Sequence, residues 1–229
     1  FGNVMKRPLC DGLFSRRAAL ASVALLVTHK HAALGFDNRL PPDEIMLKYP
    51  TPKTPGPAPR NLGLAADGTL RPCDDGKPHC FSSSRPASED DDDELGALPV
   101  GEWLVEPFRY KDRSAETAYA ELREAILEYP PGQNNIDGGG WRIIKESEQA
   151  GVRYVYVQFE SLRKGYIDDV EFAVRDGTVD MRSSSRLGFL DIGVNAKRMN
   201  WFAARLKQAN SWETSQITPM TAPEYFQLN

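Results

Sequence analysis

Apolar side chains recur with two different periods in the second half of the chain. Between Ser114 and Tyr129 they recur every three or four residues, which predicts a helix with Ser114 as its N-cap. Between Arg153 and Glu160 they alternate along the chain, which predicts a strand. The same patterns predict strands at about 141–145, 166–174 and 178–184, and a final helix at about 195–208. The order predicts an α+β fold: an antiparallel four-stranded meander packed with two helices.

A two-residue turn fixes the register of the last predicted hairpin. Asp176-Gly177 is typical of a tight turn between two strands. This turn places Glu171 directly opposite Arg182, so we expect a structural ion pair across the two strands.

Three acidic residues on the first strand of that hairpin are candidates for chemistry. Neighbouring residues on a strand point to opposite faces, so Asp168 and Asp169 are not expected to form a catalytic dyad. Asp169, which the register places opposite Ser184, shares a face with Glu171, and an acid/base pair is conceivable there. The arginine opposite Glu171 favours the structural interpretation.

Residues 36–72 have the composition of a linker. Seven prolines fall between Pro41 and Pro59, and repeated proline favours an extended backbone that cannot build a core alone. We therefore expect an extended proline-rich arm before the α+β domain, acting either as a spacer or as a strap laid across a partner. Residues 89–94 are six successive acids without the glycine of a calcium loop, which indicates a solvated surface loop.

The N-terminal residues have the layout of a targeting segment. Arg16 and Arg17 directly precede ten mainly apolar residues, 18–27, as in a twin-arginine signal. We expect residues 1–35 to be a targeting segment or a retained anchor. The remaining organisation is then an arm at 36–72, an α+β domain at 73–210 and a C-terminal tail at 211–229.

The charge distribution argues against one class of partner. The net charge is -4, and residues 1–35 contain five basic residues and one acidic residue, so the rest of the chain is more acidic still. An acidic body does not attract phosphate backbones, so we expect no nucleic-acid binding.

Cys73 and Cys80 are close in sequence. In an exported protein such a pair favours a disulfide, whereas in a reducing compartment it would indicate a metal or redox site. A structural zinc site needs about four ligands, and His79 is the one further candidate nearby. We therefore predict a disulfide, no metal and no cofactor.

Three segments carry a resemblance to a known family. They are Arg71-Pro-Cys-Asp-Asp-Gly-Lys-Pro-His-Cys80, Asp168-Asp-Val-Glu-Phe172 and the stretch from Arg182-Ser-Ser-Ser-Arg186 through Asp191 and Asn195 to Arg198. With them, the chain from about residue 73 to 206 resembles the family catalogued as domain of unknown function 1499. The resemblance implies no known reaction.

The same stretch supplies the best candidate ligand site. The site combines arginines, a serine and residues at the start of the last predicted helix, a combination suited to holding a carboxylate or phosphate. The residues are Arg182, Ser184, Arg186, Asp191, Asn195 and Arg198. The alternative is a buried polar brace in which Asp191 and Asn195 satisfy the arginines. The sequence contains no nucleophile elbow, phosphate loop or zinc-protease helix, so no catalytic residue is predicted.

Two functions follow from these features. The first is a non-catalytic, exported auxiliary or assembly subunit that docks on a larger membrane protein complex and stays peripheral to the membrane. The targeting segment and the arm favour the thylakoid lumen and a photosystem, with the bacterial periplasm as the alternative address. The second is an enzyme or small-anion binder that uses the Arg-Ser-Ser-Ser-Arg segment. A ligand pocket beside Arg186 would favour the second function, and an ordered arm without internal contacts would favour the first.

Overall fold

The centre of the fold is an antiparallel meander whose strands pair in chain order. It consists of β3 (Gly140–Gln149), β4 (Val152–Glu160), β5 (Ile167–Arg175) and β6 (Thr178–Ser185). The computed structural model describes residues 2, 35–73, 76–84 and 103–229, and those from 35 onward belong to one compact unit. The α+β class and these four strands are as the periodicity predicts. Gly177 has a φ of +73°, which suits the tight turn between β5 and β6.

The sheet is wider than a four-stranded meander. β1 (Cys80–Ser82) and β2 (Phe108–Tyr110) pair with the two ends of the same β6 edge, and β7 (Trp212–Glu213) pairs with β2. Seven strands therefore form the sheet within the described residues. The sequence-based prediction of four was wrong because strands of two or three residues are too short to show an alternating pattern.

Two helices cover one face of the sheet, as predicted. They are α2 (Ala115–Glu128) and α3 (Val194–Leu206), and Ser114 caps α2 by accepting a hydrogen bond of 3.2 Å from the Thr117 amide. Phe202 of α3 contacts Tyr129, Phe159 and Phe172, all of which are buried. Burying each such side chain contributes about 1.5–3 kcal/mol, so this apolar layer positions the helices.

The C-terminal residues are part of this packing. Tyr225, in α4 (Pro223–Leu228), is fully buried, and its ring centre lies 4.4 Å from that of Phe81. Trp212 is also buried, beside Tyr110. Residues 211–229 are therefore integrated into the α+β unit, and the predicted boundary at residue 210 does not mark its end.

The proline-rich segment, residues 36–72, contacts its own domain. The Thr54 amide donates to the Lys164 carbonyl at 2.8 Å, and Lys53 forms an ion pair with Glu160. Leu70 is 1% exposed. It packs with Leu62, Leu64, Val152, Tyr154, Tyr156 and Ala173 in a cluster on the face of the sheet opposite the helices, the outer face. The segment therefore contacts its own domain, and its leucines cover the outer face of this chain's own sheet. It is not the ordered arm without internal contacts that would favour docking on a partner.

A short helix interrupts this segment. α1 (Glu44–Lys48) begins at Asp43, whose carboxylate accepts from the Met46 amide at 2.8 Å. Among the described residues, no helix is long and apolar enough to cross a bilayer. Arg16, Arg17 and the acidic run 89–94 lie outside the described residues.

Candidate functional site

The predicted pair Glu171 and Arg182 is present on the outer face. The two residues are register partners, and Arg182 Nη1 lies 3.1 Å from Glu171 Oε2. The other carboxylate oxygen accepts from the Tyr154 hydroxyl and from the Gly63 amide, each at 2.6 Å. Both members of the pair are buried, so the carboxylate is held by one cation and two neutral donors.

A second ion pair lies beside the first on the same face. Arg186 forms a two-pronged contact with Asp169, with Nε–Oδ2 and Nη2–Oδ1 distances of 2.8 Å each. Tyr156 also donates its hydroxyl to Asp169. The hydrogen bond with Asp169 raises the pKa of Arg186, and burial is the main cause that raises the pKa of Tyr156 to about 12. Ser184 is the register partner of Asp169, as predicted.

The third arginine lies on the opposite, helical face. Arg198 of α3 is fully buried and reaches both Asp137, at 2.6 and 2.8 Å, and Asp168, at 2.7 Å. Its Nη1 also donates to Asn195 Oδ1 at 2.8 Å, and its guanidinium lies 4.7 Å from the centre of the Phe159 ring. Burial raises the pKa of the Asp168 carboxyl, against the lowering effect of Arg198. Arg198 thus ties α3 to the sheet and to the loop before β3.

The N-terminus of α3 already holds an anion, which is Asp191. Its carboxylate accepts from the amides of Gly193 (3.0 Å) and Asn195 (2.9 Å) and from the Tyr225 hydroxyl (2.6 Å). The predicted anion cradle is therefore occupied by the chain's own carboxylate. The brace interpretation holds for Asn195, which contacts Arg198, whereas Asp191 caps the helix instead of pairing with an arginine.

An open cavity adjoins this polar cluster. Its volume is about 650 Å³, and Asp168, Ser185 and Asp191 line it beside Ile136, Leu162 and Val194. The arginines of the motif are not among its lining residues. Its position therefore differs from the predicted site beside Arg186.

The cysteine pair forms the predicted disulfide. Cys73 and Cys80 are bonded, with a Cα–Cα distance of 5.9 Å. Among the described residues, no three His, Cys, Asp or Glu side chains lie together as metal ligands.

Several contacts of the motif arginines and of their carboxylates cannot be predicted from the sequence. Asp137 lies in a loop with a φ of +55°, and the predicted register pairs Asp169 with Ser184 and does not indicate its contact with Arg186. The amide of Gly63 lies 108 positions before Glu171. Loop residues and backbone amides that meet only in the folded chain leave no periodic signal.

A comparison with family models covers the sequence segments that carry the family resemblance. The model for the family described as "Protein of unknown function (DUF1499)" matches residues 69–206, more than half of the chain. The chain belongs to the DUF1499 family. Comparisons with curated proteins and with solved structures find no match.

Within the part of the chain that the structure describes, the acidic partners of the three arginines all lie in the DUF1499 segment: Asp137, Asp168, Asp169 and Glu171. Gly63 and Tyr225 lie outside it, yet each contacts one of its acidic residues. The DUF1499 domain of this chain is therefore packed on both sides by flanking residues.

Proposed function

We propose that this DUF1499 protein is a non-catalytic, exported auxiliary or assembly subunit that docks on a larger membrane protein complex. The proposed address is the thylakoid lumen, with a photosystem as the partner and the bacterial periplasm as the alternative. The single observation that carries the docking proposal is the exposed apolar surface of α1.

α1 and its C-cap residue, Tyr49, present apolar side chains that the domain does not cover. Ile45, Leu47 and Tyr49 are 58%, 69% and 64% exposed, and no residue of α1 is buried. Ile45 and Tyr49 are four residues apart, so they lie close together on one side of the turn. Large apolar and aromatic side chains in a small patch are typical anchors of protein interfaces.

The geometry around α1 suits a preformed contact surface. Asp43 caps the helix and also forms an ion pair of 2.5 Å with Arg163 of the domain. The prolines before and after α1 restrict the backbone further. A segment already ordered in the free protein loses little conformational entropy on docking.

The contacts of the motif arginines favour this function over the small-anion binder. Arg182, Arg186 and Arg198 each end on acidic residues of the same domain. An incoming anion would have to displace these buried carboxylates, and each carboxylate left buried without its arginine costs about 3–5 kcal/mol. The arrangement therefore supports a structural role for the Arg-Ser-Ser-Ser-Arg segment.

The disulfide supports export. Bonds between cysteines persist in oxidising compartments and are rare in reducing ones. The twin-arginine layout at Arg16 and Arg17 supports the lumen or the periplasm as the destination.

Native membranes provide the test of this function. They would be solubilised in mild detergent after brief chemical crosslinking, and the chain would be followed through separation by size. We expect it to co-migrate with one membrane complex and to be protected from protease in sealed membranes. Migration as a free protein in the cytosolic fraction would contradict both the address and the docking function.

A further inference from the structure

The cavity beside the polar cluster has the size and position of a ligand site. It measures about 650 Å³, within the range of about 300–1,000 Å³ that is usual for small-molecule pockets. It lies at the ends of β5 and β6, where Asp168 and Ser185 are register partners. The loops at 132–138, 161–166 and 187–194 form its other walls.

Its lining is mainly apolar with an acidic floor. The apolar residues are Leu40, Ile136, Leu162, Tyr166, Leu187, Leu190, Ile192 and Val194. Asp168 and Asp137 supply carboxylates from the floor, where both contact Arg198. A pocket of this kind accepts an apolar body and orients it through a few polar groups.

The charges around the cavity favour a cation over an anion. Two carboxylates, Asp137 and Asp168, face the single guanidinium of Arg198, which leaves one negative charge in excess at pH values above the pKa of Asp168, a pKa that burial raises. At the mouth, Arg163 is paired with Asp43.

The two other charged lining residues do not change this balance. Lys164 and Asp191 are opposite in sign and cancel in the charge count. The excess charge is therefore the negative one on the floor, where burial limits its solvation.

We propose that this cavity binds a small apolar cation, an alkyl- or aryl-ammonium compound whose body contacts the leucine and isoleucine side chains and whose ammonium group approaches Asp168. This site does not depend on the docking function, and none of the exposed apolar side chains of α1 lines it. It takes a ligand of opposite charge to the one that the arginine motif suggests.

Binding can be tested with three probes that share one aromatic body: naphthylmethylammonium, naphthylmethanol and naphthoate. Titration of the full chain by calorimetry should give the tightest binding for the ammonium compound, about tenfold tighter than for the alcohol, and the weakest for naphthoate. Asp168→Asn should bring the affinity for the ammonium compound down to that for the alcohol. Val194→Phe, which fills the cavity from its helix side, should weaken all three.

The outcomes separate this proposal from adventitious binding. Absence of saturable binding for all three probes would overturn it, as would tightest binding of naphthoate. Binding of the ammonium compound that Val194→Phe leaves unchanged would place the probe elsewhere and would also overturn it. Val194 is only partly buried, so that variant remains informative if Asp168→Asn fails to fold.

Discussion

Asp168 and Asp169 are adjacent on β5, yet they bind arginines on opposite faces of the sheet. Asp168 Oδ2 lies 2.7 Å from Arg198 on the helical face, and Asp169 Oδ2 lies 2.8 Å from Arg186 on the outer face. The alternation of side chains along a strand therefore places these two adjacent acidic residues in separate ion-pair clusters. Each cluster joins the sheet to another part of the chain.

Removing the buried arginine should destabilise the protein strongly. Arg198→Met leaves Asp137 and Asp168 buried without their cation, and we expect a loss of about 3–5 kcal/mol in the free energy of unfolding by urea. Arg205→Met, on the same helix, is the matched control because its pair with Glu128 is partly exposed to solvent, and should cost about 0–1 kcal/mol. Equal losses for the two variants would refute the brace.

The pH dependence of stability should report on Asp168. Burial raises its pKa above the ordinary value of 3.8, so the folded state favours the protonated form. The stability that Asp168 contributes in this way is fully present below its pKa in the unfolded chain. It is lost as the pH rises through its pKa in the folded protein. The stability of Asp168→Asn relative to the unsubstituted protein should therefore increase as the pH rises from the ordinary pKa of 3.8 through the raised pKa of the folded state. A difference that stays constant with pH would show that Asp168 does not titrate in this way.

The packing of the proline-rich segment on the outer face can be tested with a pair of leucines. Leu70 is 1% exposed and Leu47 is 69% exposed. Leu70→Ala should lower the free energy of unfolding by about 2–5 kcal/mol because it opens a cavity over Tyr154 and Tyr156. Leu47→Ala should change it by no more than about 0.5 kcal/mol. If both variants are neutral, the segment does not pack on the domain in solution.

Reduction should weaken the protein in a way that depends on one bond. Cys73 and Cys80 close a short loop, for which chain entropy gives a contribution of about 2–3 kcal/mol. A reductant should lower the urea midpoint of the unsubstituted protein and leave that of the double variant Cys73→Ser/Cys80→Ser unchanged. If the urea midpoint of the double variant still falls on reduction, the effect does not come from this disulfide.

The elements that the sequence predicts correctly are helices of several turns and strands in which apolar and polar residues alternate several times. The helical stripe of α2 and the alternation of β4 extend over eight or more residues, and the turn at Asp176-Gly177 sets the pairing of Glu171 with Arg182. β1 has three residues and β7 has two, so neither shows a period. Their positions in the sheet are set by pairing, of β1 with β6 and of β7 with β2.

The candidate site was predicted in composition but not in connectivity. The arginines and Asn195 were identified, whereas the loop carboxylate of Asp137 and the amide of Gly63 were not. The sequence alone does not show whether the partner of an arginine is a ligand or a carboxylate of the same chain. Only the folded geometry separates these cases, and here it brings own-chain carboxylates to all three.

Truncation of residues 36–70 is a poor test of docking, because it would also remove Leu70 and the Gly63 contact with Glu171. Substitutions confined to α1 and its C-cap residue avoid this difficulty. Ile45→Ser, Leu47→Ser and Tyr49→Ser change exposed side chains and should leave the free energy of unfolding nearly unchanged. Met220→Ser is the matched control, since Met220 is 92% exposed and belongs to the C-terminal region.

The most direct measurement is the yield of membrane complex recovered with each tagged form expressed in its native cells. The triple α1 variant should recover about tenfold less complex than the unsubstituted chain, because apolar anchors carry most of the energy of an interface. Met220→Ser should recover the full amount. A folded triple variant that recovers the complex at full yield would contradict docking through α1.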